Sequence, residues 1–243
     1  HVLKSNGWII HEVWNRTPVH TARLAAALGA GVAGELAAMD QGADIYIIAV
    51  TDTALPAVAA QLRVNQGLVV HTAGTVARDI LKDCSAAYGV FWPIKMIRAG
   101  MTSLQPFTAA IDASGREAMA GLQLLGTALG AEMVAADDAL RKKLHLLAAI
   151  TANFSNHLYT LAADYCRDAG IDFSLLHPII QDTAQRLSER APGLNQAGPA
   201  FRGDFVTLAQ HRELLKNYPA LLTIYELLSA DIYRYYHPEL TGV

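Results

Sequence analysis

The hydrophobic pattern of this chain changes once, at about residue 137, and that change restricts the folds it can adopt. Before this point, short runs of β-branched residues alternate with runs rich in alanine and leucine. Such alternation is typical of parallel strands joined by helical crossovers. Beyond it, the apolar residues recur with the helical period and almost no strand signal remains. We therefore predict an α/β domain with a doubly wound parallel sheet over residues 1–136, followed by an all-α domain over residues 137–243.

Composition and flanking residues place the elements of the first half. The most apolar run, residues 44–50, is of the kind found in strands buried on both faces, and we place it at the centre of the sheet. Further strands are expected at residues 8–14, 67–70, 89–93, 106–111 and, at an edge, 131–134. Helices are expected at residues 18–28, 54–62, 76–84 and 116–129, with Thr17 as a candidate cap of the first.

The second half reads as a few long helices. Asp137 and Asp138 are candidate caps for a helix over residues 139–168, and Gly170 ends it. Another helix is expected at residues 173–190, and a last one at 205–236 with an interruption at Pro219. Between them, a loop carries Asp204, which either caps the last helix or helps to close a site from a partner subunit.

Bulk properties exclude several function classes. The 243 residues are 52% hydrophobic and 17% charged, with a net charge of −3, so there is no electrostatic footprint for nucleic acid. No apolar run approaches the roughly 20 residues that a membrane span needs. Cys84 and Cys166 lie far apart, and no residues show metal-ligand spacing. We expect a soluble protein of a reducing compartment, the cytosol, without a metal, a membrane anchor or a nucleic-acid partner.

Polar residues follow three of the predicted strands at their carboxyl ends. Open α/β sheets bind ligands beyond these ends, so the three segments should line one crevice. The residues that we predict to bind a cofactor there are Asn15, Arg16, Thr17, Val50, Thr51, Asp52, His71, Thr72 and Gly74.

Arg16 indicates which cofactor this crevice would take. A guanidinium can pair with the 2′-phosphate of NADP, whereas a site for NAD usually places an acidic residue near here. NADP is therefore the predicted cofactor. The alternative is that Arg16 is simply a solvated residue after a strand.

Three other residues of the crevice each have two interpretations. Asp52 could hold a ribose, but a Thr-Asp-Thr segment before a helix is also an ordinary cap. His71 could exchange a proton near a nicotinamide, or could bond to a loop carbonyl. Gly74 is more readily explained by its backbone, which permits a tight turn or a close approach of the cofactor, than by a chemical role.

Six motifs, in order, extend across most of the chain. They are Asn15-Arg16-Thr17, Ile48-Ala-Val-Thr-Asp52, Val70-His-Thr-Ala-Gly74, Trp92-Pro93, His145 with Asn153-Phe154, and Gly198-Pro199 with Arg202-Gly203-Asp204. This succession resembles Rossmann-like proteins with a C-terminal helical domain of unknown function, distant relatives of pyrroline-5-carboxylate reductase and of deazaflavin-dependent NADP oxidoreductases. The resemblance implies NADP binding, a helical dimerisation domain and a homodimer, but it supplies no substrate.

The chain departs from that family pattern in two places. The first strand and the Gly-rich phosphate turn are missing, and we expect a preceding segment of the protein to carry them. Where the family commonly has His-Pro, this chain has Trp92-Pro93, so a titratable group is lost.

The resulting hypothesis is an NADP-dependent oxidoreductase acting on a small carbonyl or imine substrate. His145 and Asn153 are catalytic candidates by resemblance, and His71 is a third. The alternatives for the first two are a packed core histidine and an asparagine bonded to a neighbouring helix. Two rival hypotheses remain, a sensor or scaffold that binds NADP without turnover, and an α/β protein that has lost nucleotide binding.

Overall fold

A computed structural model of the chain describes residues 1–98, 101, 104 and 106–241. The chain forms two compact units, His1–Ala152 and Asn153–Val243. The boundary between the units falls at residues 152 and 153, inside the first long helical stretch, whereas the sequence pattern changes earlier, at residue 137. The functional division at residues 136 and 137 stays a prediction.

The first unit is an α/β structure with two sheets. Strands β1 (Glu12–Val13) and β2 (Gly31–Val32) form a parallel pair. The other five strands form one sheet in the order of the sequence, β3-β4-β5-β6-β7. Their bounds are β3 Ile45–Ile48, β4 Leu68–His71, β5 Ala87–Pro93, β6 Phe107–Ala113 and β7 Ala131–Ala135. The helices are α1 Val2–Ser5, α2 Pro18–Leu28, α3 Leu55–Gln61, α4 Arg116–Leu129 and α5 Asp138–Ala148.

The Rossmann-like α/β architecture is confirmed, but two details of the sheet differ from the prediction. Strands β5 and β6 are antiparallel, so the sheet is mixed. Antiparallel neighbours need no crossover helix, and the described residues between these strands contain none. Strand β3, predicted at the centre, is an edge of the five-stranded sheet among the described residues. Its apolar run reflects burial of Tyr46 and Ile48 on one face, whereas Ile47 on the other face is 43% exposed, so the predicted burial on both faces is not observed. Burial of a face does not fix the place of a strand in the hydrogen-bonded order.

Two other expected elements are much shorter than predicted. The strand at residues 8–14 is reduced to Glu12–Val13, because only these residues pair with β2. The helix at residues 76–84 is a single 3₁₀ turn, Arg78–Leu81. There the Val76 carbonyl accepts from Arg141 and the Arg78 amide donates to Asp138, so both backbone groups are engaged outside a helix.

The core of the first unit lies where α4 packs on the sheet. Leu122 and Leu125 are fully buried against Val70 and Phe91. Gly121 permits this close approach, because a Cβ there would lie 2.7 Å from Leu68 Cδ2. The packing fixes the strands whose carboxyl ends carry the candidate site.

The second unit is helical. A π-helical segment, Ala149–Phe154, follows α5, and the helices are α6 Ser155–Ala169, α7 His177–Arg186, α8 Pro199–Arg202, α9 Phe205–Leu215, α10 Pro219–Tyr236 and α11 Pro238–Thr241. The predicted interruption at Pro219 is confirmed.

Two of the aspartates that were predicted as helix caps act as such. Asp137 caps α5 of the first unit by accepting from the Leu140 amide at 2.8 Å, and Asp204 caps α9 by accepting from the Thr207 amide at 3.1 Å. None of the helices among the described residues has the length and hydropathy of a membrane span.

Candidate functional site

The carboxyl ends of β3 and β4 bring two of the predicted segments together. Ile48 pairs with His71 in parallel register, and the Thr72 amide donates to the Ile48 carbonyl at 3.2 Å. Beyond the strand ends, the Thr75 hydroxyl donates to the Asp52 carboxylate. The segments that carry Val50, Thr51 and Asp52 and His71, Thr72 and Gly74 are therefore neighbours, as the sequence predicted.

Asp52 does not act as the helix cap that the sequence favoured. The residue before α3 is Ala54, and no side chain caps this helix. Thr51 and Thr53 instead share a hydrogen bond, with 3.2 Å between their hydroxyl oxygens. Asp52 is thus tied to the loop after β4 through Thr75, and its carboxylate lies at the sheet edge where ligands bind.

The third segment, residues 15–17, forms a turn between β1 and α2. The Asn15 side-chain oxygen accepts from the Thr17 amide at 2.9 Å, and the Thr21 hydroxyl donates to the Asn15 carbonyl at 3.2 Å. Thr17 occupies the position before α2, but its side chain makes no capping bond, so the predicted cap is not observed. Trp14, just before the turn, packs on the same hydrophobic cluster as Val50.

Arg16 stands out in that turn because its charge is unmatched. The side chain is exposed and has no hydrogen bond or ion pair within the described residues. The hydrogen bonds of Asn15 and Thr21 fix the backbone that carries it. A rigid turn that presents a free guanidinium at a strand end has the chemistry to pair with a phosphate.

His71 is fully buried, and this decides its protonation. The Ala73 amide donates to His71 Nδ1 at 3.2 Å, which places the ring proton on Nε2, and Nε2 has no hydrogen-bond partner within the described residues. Burial, and next the positive charge of Arg141, lower the pKa of His71 to about 4. The sequence allowed a proton-exchange role for His71, but the ring is neutral at pH 7, so it can donate only as a weak acid.

An ionic network that the sequence analysis missed holds the loop after β4. Arg141, fully buried on α5, donates through Nη2 to the Val76 carbonyl at 2.5 Å and to Asp138 at 2.6 Å. Arg78 donates to Asp112 at 3.0 Å, which joins the loop to β6. The sequence signal was slight, an arginine three residues after an aspartate in a helix, and it did not reveal that the guanidinium would be buried.

The same helix α5 presents His145 to the candidate site. The His145 ring lies against Trp92, with 5.5 Å between ring centroids, and against the backbone of Gly74. A Cβ at residue 74 would lie 2.3 Å from His145 Cδ2, so glycine is required for this approach. Because Arg141 and His145 are four residues apart, one face of α5 both holds the loop and contacts it.

Asn153, the third catalytic candidate, belongs to the second unit. It lies in the π-helical segment, is exposed, and makes no side-chain hydrogen bond within the described residues. The bond to a neighbouring helix that the sequence allowed is therefore not observed. The π-helical segment interrupts the helix that was predicted over residues 139–168, and such segments are frequent at functional sites.

Two further observations delimit the site. Within the part of the chain that the structure describes, no group of three His, Cys, Asp or Glu residues is placed to hold a metal ion. A cavity of about 770 Å³ lies at the opposite edge of the sheet, at the amino ends of β3 and β4, where it is lined by Asp44, Gly67 and Glu117 among others. Ligands of open α/β sheets bind at the carboxyl ends, so this cavity is not the candidate cofactor site.

Comparisons with known proteins identify relatives of the whole chain. A solved structure from Bacteroides fragilis, named "putative NADP oxidoreductase", is 31% identical with a TM-score of 0.85, and the match covers 96% of this chain and 92% of that one. An imine reductase from Myxococcus stipitatus in complex with NADP⁺ is 16% identical (TM-score 0.59; 99% and 90% covered). A 1-pyrroline-5-carboxylate reductase from Streptococcus pyogenes is 11% identical (TM-score 0.59; 96% and 93% covered).

The last two similarities show the fold alone, whereas a sequence match defines the family. No curated protein sequence matches the chain. A family model, described as the domain of unknown function DUF2520, matches residues 107–232, just over half of the chain. These findings confirm the resemblance drawn from the six motifs. The chain belongs to the DUF2520 family, and its fold is similar to that of Rossmann-like NADP oxidoreductases.

Proposed function

We propose that this chain binds NADP(H) at the carboxyl edge of its sheet and catalyses hydride transfer to or from a small carbonyl or imine substrate. The observation that carries the proposal is Arg16, a free guanidinium on a turn whose backbone is fixed by hydrogen bonds. The similarity to a Bacteroides fragilis protein named as an NADP oxidoreductase supports it.

The residues at the sheet edge suit the parts of this cofactor. Arg16 would pair with the 2′-phosphate, with Asn15 and Thr17 holding the turn in place. Val50, Thr51 and Asp52 would line the adjoining stretch, where the Asp52 carboxylate can accept from a hydroxyl. Thr72 and Gly74 follow a strand end whose backbone approaches neighbouring groups closely. When bound, the cofactor supplies the hydride.

The protein's own contribution to the reaction would be orientation and a proton. His145 is the better proton donor of the two histidines, because the pKa of His71 lies near 4 and keeps that ring neutral at pH 7. His71 would then act as a fixed dipole beneath the loop. Asn153 is retained as a substrate-orienting candidate on the strength of the family resemblance.

A second candidate function is a sensor that binds NADP without turnover. The low pKa of His71 and the presence of Trp92 where the family commonly has histidine both favour it, since they remove proton donors from this region. Turnover separates the two candidates, because nucleotide binding is common to both.

The proposed partner is a second copy of the chain. Large apolar side chains of the second unit are widely exposed, among them Leu175 at 71% and Leu227 at 69%, and a soluble chain rarely leaves so many uncovered. Cys84 and Cys166 are both buried free thiols, which supports the cytosol as the proposed location.

The decisive experiment is calorimetric titration of the protein with NADPH and NADH, together with the variants Arg16→Ala and Arg23→Ala. Arg23 is an exposed arginine of the same helical region and serves as the matched control. We expect preference for NADPH in the wild type and in Arg23→Ala. In Arg16→Ala the affinity for NADPH should fall by about tenfold or more, toward that for NADH.

Turnover is then followed by the loss of NADPH absorbance with a panel of ketones and cyclic imines. Consumption of NADPH would establish the oxidoreductase, whereas tight binding without consumption would assign the sensor. Failure of both nucleotides to bind would reject the proposal and leave the α/β protein that has lost its ligand.

A further inference from the structure

The second unit contains a cavity of about 280 Å³ that none of the preceding roles uses. Helix α10 supplies most of its wall through apolar side chains such as Leu221, Ile224 and Ile232, and Leu158 of α6 and residues 197–200 complete it. No Lys, Arg, Asp or Glu lines it. A concave apolar wall with a few polar groups is the usual form of a small-molecule site, and this volume lies just below the range of about 300–1,000 Å³ for drug-sized ligands.

Polar groups on the wall of this cavity come from two helices. His211 Nδ1 of α9 and the Tyr225 hydroxyl of α10 are 2.8 Å apart and form one hydrogen bond. Ser229, one turn after Tyr225, is only 8% exposed, and its hydroxyl makes no hydrogen bond within the described residues. Because this hydroxyl lines the cavity and is not engaged elsewhere in the described chain, it can donate to a ligand oxygen there.

The Gly198-Pro199 motif shapes one side of the same cavity. Gly198 has φ of 110°, a conformation that favours glycine, and a Cβ there would meet nothing within 4 Å. Glycine is therefore required by the backbone turn, not by crowding. Pro199 follows in the first turn of α8, and Ala200 is buried. The Gly198-Pro199 motif therefore has a structural role, because it forms part of the cavity wall.

We infer that this cavity binds a small uncharged molecule with a compact apolar body and one carbonyl or hydroxyl oxygen. The apolar wall accepts the body of the molecule, and the absence of charged lining residues disfavours an ion. The Ser229 hydroxyl donates to the ligand oxygen, and the His211–Tyr225 pair supplies a second polar contact. The cavity shares no residue with the proposed nucleotide site, so the inference does not depend on NADP binding.

The test is a titration of the full chain, without nucleotide, with cyclohexanone as the neutral probe. The chain carries ¹³C-labelled isoleucine methyl groups, and their NMR shifts report binding. We expect saturable shifts at Ile224 and Ile232, and binding at least tenfold weaker for cyclohexylammonium and cyclohexanecarboxylate.

Three variants locate the site. Ala197→Leu places a larger side chain on the cavity wall and should abolish the shifts, whereas Ala209→Leu, an exposed alanine of α9 outside the cavity, should leave them intact. Ser229→Ala should weaken binding of cyclohexanone by about tenfold, as expected for loss of one hydrogen bond. Retention of binding in Ala197→Leu would overturn the inference, as would shifts that do not saturate in the wild type. Binding that occurs only in a variant unable to self-associate would assign the cavity to a second copy and would also overturn it.

Discussion

The two compact units of this protein bury their apolar side chains to very different degrees. In the first, the sheet and its helices bury Val69, Val70 and Leu122 completely. In the described part of the second, only Cys166, Ala200, Leu208 and Ser229 are buried. A layered α/β structure forms its own core, whereas these helices leave much of their apolar surface uncovered.

Two matched ion pairs show the same contrast. Arg141 pairs with Asp138, and Arg167 pairs with Asp164, both at 2.6 Å and both three residues apart on a helix. Arg141 is completely buried, but the Arg167 side chain is 68% exposed. The same local geometry therefore has different consequences, because burial removes the water that would otherwise solvate the Arg141 guanidinium.

The largest expected effect comes from breaking the buried pair. Arg141→Met removes two charge-assisted hydrogen bonds, to Asp138 and to the Val76 carbonyl, so we expect a loss of about 3–5 kcal/mol in the free energy of unfolding. Urea denaturation measures it. The matched variant Arg167→Met should leave the unfolding midpoint unchanged. Equal effects of the two substitutions would refute the contrast between the units.

The pH dependence of stability gives the next largest effect. The lowered pKa of His71 means that, between pH 6.5 and 4, the unfolded chain binds a proton that the folded chain does not. The stabilisation is fully present above pH 6.5 and is lost as the pH falls, by about 3 kcal/mol at pH 4. Urea titrations at several pH values should show this slope in the wild type and in the exposed control His157→Gln. The slope should shrink in His71→Gln, and an unchanged slope there would contradict the prediction.

Glycine substitutions compare the packing of the two units directly. Gly74→Ala forces the His145 ring to move, and we expect a loss of about 1–3 kcal/mol together with weaker NADPH binding. Gly193→Ala in the second unit adds a Cβ that lies 3.7 Å from the Tyr236 hydroxyl, an ordinary contact, and should be nearly neutral. Thermal denaturation and calorimetry report both effects. A neutral Gly74→Ala would show that the loop accommodates the methyl group.

The smallest effect concerns the proposed partner. Leu175→Glu places a charge on the exposed apolar surface of the second unit and should weaken self-association by about tenfold, or 1.4 kcal/mol. Val19→Glu makes the same change at a residue of the first unit that is 74% exposed, and should have no effect. Sedimentation velocity over a range of concentrations measures both. A wild-type chain that stays monomeric throughout would remove the homodimer from the proposal.

Elements with local start and stop signals were predicted at their observed bounds. Helix α2 begins at Pro18 and ends before Gly29, whose φ is 64°, and α4 ends before Gly130, whose φ is 68°. Proline at the first turn and a left-handed glycine at the end act within a few residues of the helix, so the sequence contains the whole signal.

Elements that depend on distant partners were predicted poorly. The expected helix at residues 76–84 forms only one 3₁₀ turn, and the chain before that turn is held by Arg141, which lies 65 residues beyond Val76 and donates to its carbonyl. The antiparallel direction of β6 and the edge position of β3 likewise depend on which strands meet. Hydrophobic periodicity reports the burial of a face but not the identity of the neighbouring strand.

The features of the candidate site also fall into those set by local sequence and those set by distant contacts. The sequence by itself determined the α/β and all-α halves, the polar strand ends and the exposed arginine of the turn, because these follow from periodicity and from residues adjacent in the chain. Only the tertiary structure decided the neutral state of His71, the Arg141 network and the contact of His145 with Gly74. Those features depend on desolvation and on close approach between residues far apart in sequence, and neither is encoded in a local pattern.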